Sequence, residues 1–323
     1  VKEPDRLDFA RRTKRLTAEI GRRRAGEGDP GRRLDQYRPP MIGIGVNTWV
    51  WTSPFTAGSV GLIARAQTYG FDSITLPVED PGAIDGAAVQ RALRDTELRV
   101  HVAGAFGPSR DLTHDDPRVR EECLRYIGET LELCERWGAR LLVGPCYSAV
   151  GKRRQVPDEQ RKVEWERAVA GLRAAGELAA GHGVTLAIEP LNRFETDLVN
   201  TAAQLSRLLR DVGHPAVKGH LDTFHMHIEE KSVRDAVLSV GPQLVYVDAS
   251  ESDRGTPGTG QVDWRGLAGA LREIGYAGDC VIESFTPECK TIAAAAAIWR
   301  PLAPSQDALA RDGLAFLRGL LAT

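Results

Sequence analysis

No run of roughly eighteen consecutive apolar residues occurs in this 323-residue chain, so a membrane-spanning helix is not expected. The opening residues VKEPDRLDFARRTKRL also lack the apolar segment of a secretory signal. A soluble, cytoplasmic protein without a membrane partner is the resulting expectation. Cysteine is scarce: Cys123, Cys134, Cys146, Cys280 and Cys289 are odd in number and widely spaced, with no Cys-x-x-Cys pair. That spacing argues against a disulfide framework or a structural zinc site. The most Gly-rich stretch near a strand end, GTPGTG, lacks the Gly-Lys-Ser/Thr of a nucleotide-phosphate loop, and no Gly-x-Gly-x-x-Gly follows the first strand. With a formal net charge of only -2, nothing in the overall charge points to nucleic acid.

What charge there is lies unevenly. Residues 1–40 hold 12 Lys/Arg and 7 Asp/Glu, a net of +5, and the remainder carries -7. The stretch FARRTKRLTAEIGRRR has the composition of a basic helix, and GEGDPGRRLDQYRPP that of a linker. Residues 1–40 are therefore expected to form an N-terminal extension, partly helical or disordered. Residues 41–323 are expected to form the main domain, with Met41 opening its first strand.

With 42% hydrophobic residues the chain can bury a sizeable core. From Met41 onward, short β-branched runs alternate with segments of helical period. The expected strands are IGIGVNTW, DSITLP, LRVHVAG, RLLVGP, VTLAIEP, AVKGHLD, LVYVDAS and DCVIESF. Helical stretches such as VREECLRYIGETLELCERWG and WRGLAGALREIGYAG lie between them, several closed by glycine. Eight strand and helix units over about 280 residues fit an α/β (β/α)8 TIM barrel, for which ~250 residues is typical. The second architecture is a doubly wound open sheet, disfavoured by the missing glycine fingerprint.

In such a barrel the carboxyl ends of the strands converge on one mouth, where active sites are built. Glu189 ends the fifth strand, Asp222 the sixth, Asp248 the seventh and Glu283 the eighth. Four carboxylates in a partly desolvated mouth repel one another unless a cation or bound protons offset them. A divalent metal is the natural solution. Around them lie Asn192, Arg193, Glu195, His225, His227, Glu251 and Arg254, the donors and acceptors that a polyol substrate requires.

The segments AIEPLNRFE, HLDTFHMHIEE, ASESDRGTPGTGQVDW and VIESF resemble the metal and substrate segments of the D-tagatose 3-epimerase family, which includes D-psicose (D-allulose) and L-ribulose 3-epimerases in the xylose isomerase-like barrel superfamily. The resemblance implies a metal-dependent ketose 3-epimerase acting on free ketohexoses or ketopentoses through an enediolate. Its implied metal ligands are Glu189, Asp222, Asp248 and Glu283, around Mn2+ or alternatively Mg2+ or Co2+. Glu189 and Glu283 are also the implied acid and base pair at C3. Glu195, His225 and Arg254 are implied to hold the O1 to O3 end of the ketose, and Trp51 to form an apolar wall. Trp49, close by, is read as core packing. A homodimer or homotetramer is also implied.

Asp248 departs from the family, which has His there. Aspartate is shorter than histidine, so direct ligation requires a shift of the metal or strand, or a bridging water. An all-carboxylate set is also harder, favouring Mg2+, Mn2+ or Ca2+. The expectation is that metal binding survives with a changed preference and that C3 proton abstraction slows. Alternatives are a C-glycoside deglycosidase, which implies a small partner subunit, an aldose-ketose isomerase such as hydroxypyruvate isomerase, and a sugar-binding barrel of low activity. An endonuclease IV type of phosphodiesterase is disfavoured by the scarcity of histidine, of which there are seven.

Overall fold

The structure, a computed structural model, describes residues 42–322; the expectations placed on residues 1–40 and on Met41 lie outside them. Eight parallel strands close into a barrel in sequence order. They are β1 (Gly43–Asn47), β2 (Ser73–Val78), β3 (Arg99–Gly104), β4 (Leu141–Gly144), β5 (Thr185–Ile188), β6 (Val217–Asp222), β7 (Leu244–Asp248) and β8 (Asp279–Ile282). Closure is made by β1 and β8, paired from Gly43↔Asp279 to Val46↔Ile282. The open-sheet alternative is thereby excluded. Among the described residues no helix is long and apolar enough to cross a membrane.

Alternation decides what each strand residue faces. Side chains such as Val46, Leu76, Val102, Leu142, Leu186, Leu221, Val247 and Ile282 join the large core cluster between the sheet and its helices. Their sequence neighbours Ala103, Val143, Ala187, Tyr246 and Val281 form a second cluster inside the barrel. Both faces are therefore apolar, as parallel strands covered by helices require. The helices follow their caps. Pro117–Trp137 starts at an Asp116 side chain that accepts Arg118 N–H and stops at Gly138, φ 75°, where glycine pays no Cβ penalty.

Two structural details set up the chemistry. At the amino-terminal end of the barrel, Asp279 accepts Arg99 Nη2 at 2.5 Å and lies 2.6 Å from His101 Nε2. Gly43 makes room for this plug, since a Cβ there would stand 1.9 Å from Arg99 Nη2. At the other end, the β6–β7 ladder runs Gly219↔Leu244 and then His220↔Tyr246, so Val245 is an extra residue on β7. Such irregularities re-aim the neighbouring side chains.

Candidate active site

Period-two alternation carries the inward set one step further at the mouth. Glu189 follows Ala187, Asp222 follows His220, Asp248 follows Tyr246 and Glu283 follows Val281, each by two residues. All four carboxylates are buried, none more than 7% exposed. Glu189, Asp248 and Glu283 line one cavity of about 550 Å³ together with Glu195, His220, His225 and Arg254, and Asp222 is fully buried. Phe106, Leu191, Phe285 and Ile292 supply an apolar flank.

The four acids differ in what satisfies them. Asp222 uses Oδ1 to accept Phe224 N–H, capping a short helix (Thr223–Glu229), and Oδ2 to accept Arg254 Nη1 at 2.7 Å. Glu283 accepts Asn47 Nδ2 at 3.1 Å and Arg254 Nη1 at 2.9 Å. Glu189 accepts no hydrogen bond among the described residues; it stands 3.6 Å from His225 Nε2 and 3.7 Å from His220 Nδ1. Asp248 Oδ1 is buried without a partner. Burial first, and then the neighbouring carboxylates Glu283, Asp222 and Asp248, push the Glu189 carboxyl well above the usual range, with Arg254 opposing. Burial and the same crowding raise Asp248 and Glu283 as well.

Arg254 is the cation that pairs with these carboxylates. Its guanidinium is sandwiched by Phe224 (4.1 Å) and Phe285 (5.2 Å), and its backbone adopts φ 63°, a conformation that costs a non-glycine residue about 1–3 kcal/mol. The surrounding loop holds it there. Arg254 N–H donates to Glu251 O, and Ser284 Oγ donates to Arg254 O. Glu251 turns away from the cavity and staples the loop, accepting Ser252 N–H, Gly258 N–H, Val262 N–H and Trp264 Nε1. Burial works against its charge, but these donors outweigh it and keep the carboxyl below its usual range.

His225 has a determined tautomer. Asn192 Oδ1 accepts Phe194 N–H, which fixes the amide orientation, and Asn192 N–H and Nδ2 then both donate to His225 Nδ1, at 3.1 and 2.8 Å. The ring proton therefore sits on Nε2. That nitrogen is 3.4 Å from Arg254 Nη2; with the proton on Nε2 the two atoms are both donors, and neither satisfies the other. Burial pushes the His225 pKa down to about 3, keeping the ring neutral. Glu195, half-buried, accepts the second Asn192 Nδ2 hydrogen at 2.8 Å.

The remaining sequence expectations separate. Trp51 is not at the mouth: it lines a different depression, its indole N–H donates to Asp307 Oδ1, and its ring packs on Tyr69. Trp49, expected in the core, does pack against the buried apolar clusters, among them Phe285 at 5.7 Å, and also lines the cavity. The cause is local: the chain after β1 makes a 3-10 turn over Thr48–Val50, which swings residues 49 and 51 to different sides. Arg193 is exposed and paired with Glu229, and His227 is exposed. His220 was overlooked, although its parity with Asp222 places it inside the barrel.

Two groupings bring possible ligand atoms within 4.8 Å of one another, Glu189–Asp222–His225 and Glu189–His220–Asp248. The unpartnered buried atoms Asp248 Oδ1, His220 Nδ1 and His220 Nε2, set among crowded carboxylates, fit a cation.

The sequence profile described as the xylose isomerase-like TIM barrel matches residues 63–320. The chain is 33% identical over 280 residues to an L-ribulose 3-epimerase of Mesorhizobium japonicum, covering 86% of this chain and 93% of that protein. It is 31% identical to a D-psicose 3-epimerase of Agrobacterium fabrum, covering 84% and 96%. The crystal structure of a Methylomonas sp. D-allulose 3-epimerase in complex with D-allulose superposes with a TM-score of 0.82 at 31% identity, covering 87% and 98%.

Proposed function

This chain belongs to the xylose isomerase-like TIM barrel family, among its ketose 3-epimerases, and from that premise we propose that it inverts C3 of a free ketose with a divalent ion held at the mouth. The proposed ligands are Glu189, Asp222, Asp248 and Glu283, with Mn2+ as the ion and Mg2+ or Co2+ as alternatives. A homodimer or homotetramer in the cytoplasm belongs to the same proposal. The observation that carries it is the set of four inward, buried carboxylates on consecutive strands, one of them, Glu189, free of hydrogen bonds.

When bound, the ion supplies the Lewis acidity that makes a proton beside a ketone removable. The protein's own groups do the rest. Glu189, which accepts no hydrogen bond from the described residues, takes the C3 proton from one face of the sugar as a positioned carboxylate base. Glu283, held by Asn47 and Arg254, delivers a proton to the opposite face. Arg254 and His225, which both line the cavity, meet the negative charge that develops on the substrate oxygens, a role whose removal typically costs ~10²-10³ in rate. Glu195 orients the hydroxyl end of the same substrate, and Trp49 takes the wall role expected of Trp51.

The test is incubation of the chain with a panel of free ketoses in D2O with Mn2+, locating exchanged carbons by NMR. Deuterium at C3 alone is expected. Exchange at C1 would replace the reading with an aldose-ketose isomerase.

A further inference from the structure

We propose, resting on the reading above, that the ion at the mouth takes a nitrogen ligand from β6, the imidazole of His220, seated beside Asp248 of β7. His220 is 1% exposed, yet neither ring nitrogen makes a hydrogen bond. A buried polar group left unpaired costs about 1–3 kcal/mol, so an imidazole here is disfavoured unless something outside the protein chain completes it. The other histidine inside the barrel, His101, pairs its Nε2 with Asp279 and leaves only Nδ1 without a partner.

His220 Nε2 stands 2.8 Å from Asp248 Oδ2, but the carboxylate lies off the direction of a ring N–H, so the contact is not a hydrogen bond. Two neighbouring ligands on one ion, each at about 2.1 Å, are themselves about 3 Å apart. The observed separation is that of co-ligands. One ligand atom each from Glu189, His220 and Asp248 lies within 4.8 Å of the other two, so groups from β5, β6 and β7 can share one ion. The extra residue in β7 opposite Gly219–His220 is where the strand pair departs from regular pairing. From below, Tyr246 meets the imidazole edge-on at 4.8 Å and 88° and is itself anchored to Thr75 Oγ1 at 2.7 Å, which fixes the ring's orientation.

His225 cannot take this role, because its Nδ1 is occupied by two Asn192 donors and its Nε2 carries the proton. A neutral imidazole binds a metal through a lone pair. The nitrogen that is absent at position 248 is thereby supplied from the adjacent strand, and the donor set is softer than four carboxylates alone, which retains affinity for transition ions.

The test is electron spin-echo envelope modulation on the Mn2+-loaded full chain, which detects nitrogen coupled to the ion. Histidine-type nitrogen modulation is expected in the natural chain and in His225→Gln, and its loss in His220→Gln, which should also bind Mn2+ at least about tenfold more weakly. Modulation that persists in His220→Gln, or is missing from the natural chain with Mn2+ bound, overturns the assignment and leaves the epimerase reading standing. If His220→Gln does not fold, the comparison of the natural chain with His225→Gln decides: undiminished modulation supports His220, and its disappearance overturns it. A chain that binds no Mn2+ overturns this assignment, and one that binds none of Mn2+, Mg2+ and Co2+ overturns the proposed function as well.

Discussion

The two ends of the barrel interior use the same kinds of side chain and balance them in opposite ways. At the amino-terminal end one carboxylate, Asp279, meets Arg99 and His101. Burial opposes its charge, yet those two partners hold its carboxyl below the usual range. At the mouth, four carboxylates share Arg254, three of them are pushed upward, and a carboxylate oxygen, Asp248 Oδ1, is left without a partner. Tyr246 stands between the two ends, meeting His101 on one side at 5.4 Å and His220 on the other at 4.8 Å. Satisfied charge marks the end that holds the barrel together, and unsatisfied charge the end that awaits a ligand.

The sharpest way to break this contrast is to remove one acid from each end. Glu189→Gln is expected to lower kcat by ~10³ or more, within the range for loss of a positioned proton-transfer group, while leaving the melting temperature of the metal-free chain unchanged or higher, because a crowded buried charge has gone. Steady-state kinetics beside thermal melts checks both. Asp279→Asn should do the reverse, costing about 2 kcal/mol in urea unfolding at nearly unchanged kcat. That is below the ~3–5 kcal/mol for breaking a fully buried pair, because the Arg99 side chain is 55% exposed.

Acidity separates the ends as well. Raised carboxyls at the mouth favour folding while protonated, so their contribution is complete below the unfolded carboxyl pKa and is lost as pH rises through their elevated values. The depressed Asp279 contributes above the unfolded pKa and is lost as pH falls below it. The metal-free chain should therefore melt at a progressively lower temperature as pH is raised from about 5 to about 8, and Asp248→Asn should flatten that slope. A melting temperature indifferent to pH in the presence of chelator would contradict the account. The smallest expected effect is at the loop: Glu251→Gln should cost about 1 kcal/mol and raise KM more than it lowers kcat, since Arg254 loses its support rather than its chemistry.

Much of this contrast was legible in the sequence, because strands of period two place their last inward residue at the mouth. Glu189, Asp222, Asp248 and Glu283 needed only that rule. His220 obeys it equally, but inside VKGHLD it reads as the body of a strand, and only the positions of β5 and β7 show that it faces two acids. Trp49 reaches the cavity and Trp51 does not because a three-residue 3-10 turn, invisible in composition, decides their directions. Glu251 read as a substrate group because its partners at Gly258, Val262 and Trp264 come from the far side of the loop.

Calorimetric titration of the metal-free chain with Mn2+ in buffers of different ionisation enthalpy tests the central claim most directly. One ion per chain should bind with release of protons, because raised carboxyls must ionise to ligate, and Asp279→Asn should bind it equally well. No binding, or binding lost in Asp279→Asn and kept in Asp248→Asn combined with Glu189→Gln, would contradict the assignment of the mouth as the cation site.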